Sequence, residues 1–180
     1  MADSTVSKEQ RSRMVTGMFR DRDSAEQAYR SITDRGYSKD DVNLLMSEDT
    51  RKKHFSSDEH SETDLGNKAL EGAGAGSAIG GTIGAILALV AAAGTLAIPG
   101  LNIVAAGPIV AALTGAGAGG LAGGLIGALV GWGIPEERAK AYESGIKEGG
   151  IVMGVNPRTD EDAEYFEREW KNTRGEQIYR

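Results

Sequence analysis

Cysteine is absent from the 180-residue chain, which excludes disulfides, thiol catalysis and cysteine-ligated metal. Histidine is nearly absent, with His54 and His60 the only two. A basic excess is also missing. The net charge of −6 argues against nucleic acid as the main partner, because phosphate binding needs a basic face. Residues 1–13 lack the apolar core of a secretory signal, so export by the usual route is not expected. The strongest absence is internal: residues 72–135 contain no Asp, Glu, Lys, Arg or His. What fills that stretch is glycine mixed with Ala, Leu, Ile and Val. The chain holds 26 glycines, most of them there. They follow no three-residue period and are not diluted with serine, so collagen and a flexible linker both fit poorly.

The charge map divides the sequence into a charged first part, a neutral centre and a charged last part. In the first, residues 14–19 form a β-prone run. Asp23 followed by Glu26 makes a capping-box pattern. Ala25, Ala28, Tyr29 and Ile32 then fall on one helical stripe, and Gly36 sits where a glycine stops a helix. Residues 42–46 are a second strand. In the last part, Pro135 suits helix position N1, with Glu136 and Glu137 beside the positive end of the dipole. Ala139, Tyr142 and Ile146 share a face, and Gly149-Gly150 ends that helix. Residues 151–155 are a strand, halted by Pro157. Asp160 opens a helix with Ala163, Phe166 and Trp170 on its inner face, Gly175 ends it, and residues 177–179 add a short edge strand. The expected fold is α+β: a ferredoxin-like βαβ–βαβ sandwich with helices on one face, interrupted by a long Gly/Ala-rich helical hairpin. Its expected divisions are a disordered N-terminus (1–13), a first half (14–46), a polar linker (47–71), a glycine-zipper helical hairpin (72–134) and a second half (135–180).

In the centre, Gly72, Gly76, Gly80 and Gly84 are spaced by four, and Ala88 continues the row. Gly115, Gly119, Gly123, Gly127 and Gly131 repeat the spacing. Four residues advance a helix by about 400°, so each row is a slowly winding ridge of bare backbone. Such rows permit tight helix packing. In water each glycine costs a helix about 1 kcal/mol relative to alanine, a cost that packing or lipid must offset. Pro99-Gly100 marks a turn between the arms, and Pro108 suits the start of the second. Residues 69–94 and 109–132 are each long enough for a bilayer, which needs about 20 residues. Trp132 could sit at the headgroup boundary. These nine glycines are the expected helix-packing and oligomerisation residues, with a second copy and membrane lipid as the expected partners.

The segment order resembles the bacterial general stress protein 17M-like family, related to the YflT-type and low-temperature-induced stress proteins. The resemblance runs from Met14 onward. It rests on Val15-Thr16-Gly17-Met18-Phe19 before the first helix and on the glycine-rich centre. Most specific are Gly133-Ile134-Pro135-Glu136-Glu137-Arg138-Ala139, Tyr142-Glu143-Ser144-Gly145-Ile146 and Gly149-Gly150-Ile151-Val152. It implies a stress-associated bacterial protein and carries no catalytic signature.

The chemistry-bearing residues give little else. His54 and His60 lie in the polar linker with Asp58, Glu59 and Glu62, and read as solvated residues rather than a metal site. Asp40-Asp41 and Asp160-Glu161-Asp162 read as turn and helix openers. Gly72-Ala73-Gly74-Ala75-Gly76 follows no strand and precedes no acid, so it is no dinucleotide fingerprint. Arg51-Lys52-Lys53 could touch anionic lipid but reads better as solvated linker. The expectation is a non-enzymatic stress-response protein without cofactor or metal. Its α/β domain is cytoplasmic, and its hairpin self-assembles at the inner membrane. The alternatives are a soluble homo-oligomeric scaffold in the form of a ring, shell or filament, and a small-ligand sensor.

Overall fold

A computed structural model describes residues 14–55, 86, 96–98, 102–110, 124–131 and 133–180. The chain is α+β, built on a six-stranded antiparallel sheet. The strands are β1 (Val15–Phe19), β2 (Val42–Ser47), β3 (Leu96–Ile98), β4 (Ile103–Ala106), β5 (Ile151–Val155) and β6 (Glu176–Tyr179), in the order β3-β4-β2-β5-β1-β6. The helices are α1 (Arg22–Asp34), α2 (Glu48–Phe55), α3 (Gly124–Gly131), α4 (Glu136–Lys147) and α5 (Asp160–Asn172), with a 3-10 turn at Lys39–Asp41. The expected N-terminal disorder, residues 56–71 of the linker and much of the glycine segment lie outside the described residues.

Strands β1 and β5 are buried along their whole length, which is why they lack the hydrophobic–polar alternation of a one-sided sheet. One face carries Val15, Phe19, Val42, Leu44, Met46, Ile151, Met153 and Val155 against α1 and α5. Phe19 meets Trp170 edge-on with ring centroids 5.6 Å apart, and Tyr37 meets Phe166 at 5.2 Å. Gly17 makes room for this: a Cβ there would stand 3.0 Å from Trp170 Cε3. The other face carries Met18, Leu45, Ile103, Ala105 and Val152 against α3 and α4. The expectation of helices on one face is therefore corrected, because the neutral segment and α4 close the second face.

Local chemistry sets the helix ends. Helix α1 begins earlier than an Asp23–Glu26 box implies. Asp21 is the N-cap, its carboxylate accepting from Ser24 N at 2.8 Å, and Glu26 is instead buried. Pro135 is the N-cap of α4 rather than its first residue, and Thr159 caps α5. Helix α1 ends as foreseen at Gly36, with φ +79°. At the end of α5 the left-handed residue is Arg174, φ +60°. Gly175 is needed for closeness, since its Cβ would lie 2.6 Å from the Trp170 carbonyl oxygen.

Two expectations change along the middle of the chain. Residues 48–55 are helix α2 rather than irregular linker. Its Thr50 N–H donates to Ser47 Oγ at 3.0 Å, Arg51 grips Glu48 at 2.6 and 3.0 Å, and Phe55 is buried. The neutral segment is not helical throughout. Strands β3 and β4 interrupt it and extend the sheet, with Leu44 opposite Ala106 and Ser47 opposite Ile103.

Candidate self-association surface

Helix α3 is the described part of the glycine segment that holds an expected row. Leu125 and Leu129, one turn apart, are buried with Ile134, Ala139, Tyr142 and Ile146. The helix ends in a Schellman motif. Gly133 N donates to the Val130 carbonyl at 2.9 Å, Ile134 N donates to that of Leu129 at 3.0 Å, and Gly133 takes φ +94°. That tight stop turns the chain straight into α4, which packs against α3.

The leucine pair fixes where the glycines point. At about 100° per residue, Gly127 and Gly131 lie on the side of α3 away from Leu125 and Leu129. Gly127 is half-buried and Gly131 exposed. A Cβ on Gly131 would meet no atom within 4 Å. Val130 beside them is 42% exposed. Leu125 and Leu129 thus join the core of the second face, while Gly131 and Val130 are exposed on the outer side without charge. Gly72, Gly76, Gly80, Gly84, Gly115, Gly119, Gly123 and Trp132 lie outside the described residues, so no meeting of the two rows is in view.

Several polar groups elsewhere are committed to internal bonds. Tyr37 Oη donates to Asp162 Oδ2 at 2.6 Å and accepts from Arg158 N at 2.6 Å. Arg158 stacks on the Tyr37 ring and reaches Asp41 at 3.1 Å. Asp162 also pairs with Arg35 at 3.4 Å. This ties the start of α5 to the loop after α1, so Asp41 and Asp162 serve as turn and helix openers with added cross-links. Tyr142 Oη lies 2.9 Å from Thr16 Oγ1 and 2.7 Å from the Gln177 carbonyl oxygen. Burial pushes its hydroxyl up to about 12. Arg20 bridges Glu148 at 2.7 Å and Glu176 at 2.9 Å. His54 sits on α2 beside Phe55. Among the described residues no cluster of His, Cys, Asp or Glu could hold a metal ion. Among them, too, no helix is long and apolar enough to cross a membrane.

Sequence reasoning missed two polar residues that fasten the neutral segment. Asn43, 1% exposed, accepts from Ile109 N at 2.8 Å through Oδ1. Glu26, 4% exposed, accepts from Ile86 N at 3.4 Å. A polar residue inside the apolar run 42–46 was the available signal for Asn43. No family model, curated protein or solved structure matches this chain.

Proposed function

We propose that the protein is a non-enzymatic, self-assembling protein of the bacterial stress-response type, which packs copies together through its glycine-lined helix faces at a membrane. The observation that carries this reading is the uncharged outer side of α3, where Gly131 and Val130 are exposed and Gly127 is half-buried. A helix that exposes bare backbone and no charge gains most from a second helix lying close. The four core strands in the order β6-β1-β5-β2, with α1 and α5 on one face, support a ferredoxin-like frame. The glycine helical hairpin is its insertion, with β3, β4 and α3 as the docked parts.

One observation favours the second reading, a soluble homo-oligomeric scaffold. The stretch expected at the tip of the hairpin contributes β4, which pairs with β2, so a membrane-crossing hairpin would have to strip β4 from the sheet. Cell fractionation with sizing tests both. Release only by detergent supports the membrane reading, and large particles without detergent support the scaffold. A dispersed single copy in buffer, without vesicle binding, overturns both.

A further inference from the structure

We infer that Asn43 and Glu26 are latches that hold the neutral segment onto the domain in a docked state, and that Asn43 sets how readily the segment leaves its face of the sheet. The inference deepens the self-assembly reading above and rests on it for the purpose of release.

The two side chains act on opposite faces. Alternate residues of β2 place Val42, Leu44 and Met46 with α1 and α5, and Leu45 on the α3–α4 side. Asn43 therefore faces the α3–α4 side. An apolar residue there would complete the core without desolvating an amide. The amide instead captures the first backbone N–H after the turn at Gly107-Pro108. That turn is forced close: Gly107 has φ +90°, and a Cβ on it would collide with the Val42 carbonyl oxygen. Val110 N donates back to the Gly107 carbonyl at 3.0 Å, which aims Ile109 N at Asn43.

The latch is only half satisfied. Asn43 Nδ2 is buried and has no hydrogen-bond partner, so docking strands a donor that water would satisfy on release. On the other face, the buried Glu26 carboxyl holds Ile86 N through a long 3.4 Å bond. Ile86 itself is fully buried and belongs to the core of that face. The Asn43 fastening thus combines apolar burial, which favours docking, with a buried amide that is better solvated when the segment departs. Such an element opens below the global unfolding limit.

Hydrogen exchange of the full-length wild type is the first test. Amides of β4 and Ile109 should exchange at least tenfold faster than those of β1 and β5. Asn43→Ala should speed exchange at β4 and Ile109 by a further five- to tenfold, roughly one hydrogen bond's worth, with β1 and β5 unchanged. Asn43→Leu, which buries no amide, guards against a variant that fails to fold. It should open the same amides, because Ile109 N loses its acceptor. Equal exchange across β4, β1 and β5 in the wild type overturns the inference, and so do variants whose effects spread evenly over the sheet. If the segment opens as expected but neither vesicles of anionic phospholipid nor other copies capture the Asn43→Ala protein more than wild type, the latch stands and the proposed function falls.

Discussion

Both faces of the sheet are buried under helices, and α4, like α1 and α5, turns charge outward with its Lys140–Glu136 and Lys147–Glu143 pairs, yet α3 does not. Helices α1 and α5 close the first with apolar stripes and turn charged surfaces outward, including Glu167–Lys171 on α5 at 2.6 Å. Helix α3 closes part of the second with Leu125 and Leu129 and turns glycine and Val130 outward. Burial of side chains in the core therefore does not distinguish α3 from the other covering helices; its outer surface does. A helix whose outside lacks charge is unfinished unless something else lies on it.

The first way to break the comparison is to weaken each core in turn. Trp170 is fully buried between Phe19 and Phe166. Trp170→Ala should cost about 3–5 kcal/mol of unfolding free energy and lower the single thermal transition of the whole domain. Leu129→Ala on the other face should cost about 2–4 kcal/mol. Its loss should be concentrated in α3 and α4, read as faster amide exchange there than in α1. Equal loosening of all four helices would mean that both covers belong to one cooperative unit, and the contrast between the faces would vanish.

A smaller effect comes from Tyr142, which sits on the α3–α4 side. Burial disfavours its phenolate, so the folded-state value of about 12 lies above the ordinary value of 10.0. The stability this contributes is complete below pH 10 and is lost as pH rises from 10 through 12. The loss is about 1.4 kcal/mol by pH 11. Tyr29 and Tyr37, both raised chiefly by burial, add loss of the same sign on the first face. Tyr142→Phe should flatten the slope of stability against pH between 10 and 12, measured by urea titration. An unchanged slope would assign the alkaline loss to the first face alone.

Legibility in the sequence followed the same divide. Residues 14–46 and 135–180 were readable because Ala25, Ala28, Tyr29 and Ile32, or Ala163, Phe166 and Trp170, repeat at helical spacing between charged neighbours. Helix α2 was missed because it is polar nearly all round. Its clue was electrostatic, with Glu48 and Asp49 at the start and Lys52, Lys53 and His54 at the end, matching the helix dipole. Strands β3 and β4 were missed because Leu, Ala, Ile and Val in a neutral run serve helix and strand alike. Pairing with β2, a tertiary choice, decided the outcome for Ile103–Ala106. The glycine spacing led to the expectation of bare rows, of which the structure shows Gly131 exposed on α3, but spacing could not say that Leu125 and Leu129 would take the opposite side of that helix.

The smallest expected change in fold stability is also the sharpest test of that ridge. A side chain on Gly131 meets no atom of its own chain. Replacing glycine in a helix by alanine gains up to about 1 kcal/mol, less at a terminal turn. Gly131→Ala should therefore leave the melting temperature equal or slightly higher, and Gly131→Leu should change it little. Assembly should respond differently. If copies pack ridge to ridge, a leucine prevents close approach and large particles should fall to smaller species in light scattering, while alanine is partly tolerated. Particles of wild-type size from the Gly131→Leu protein, in buffer and with vesicles alike, would show that the outward face of α3 at Gly131 is not where copies meet.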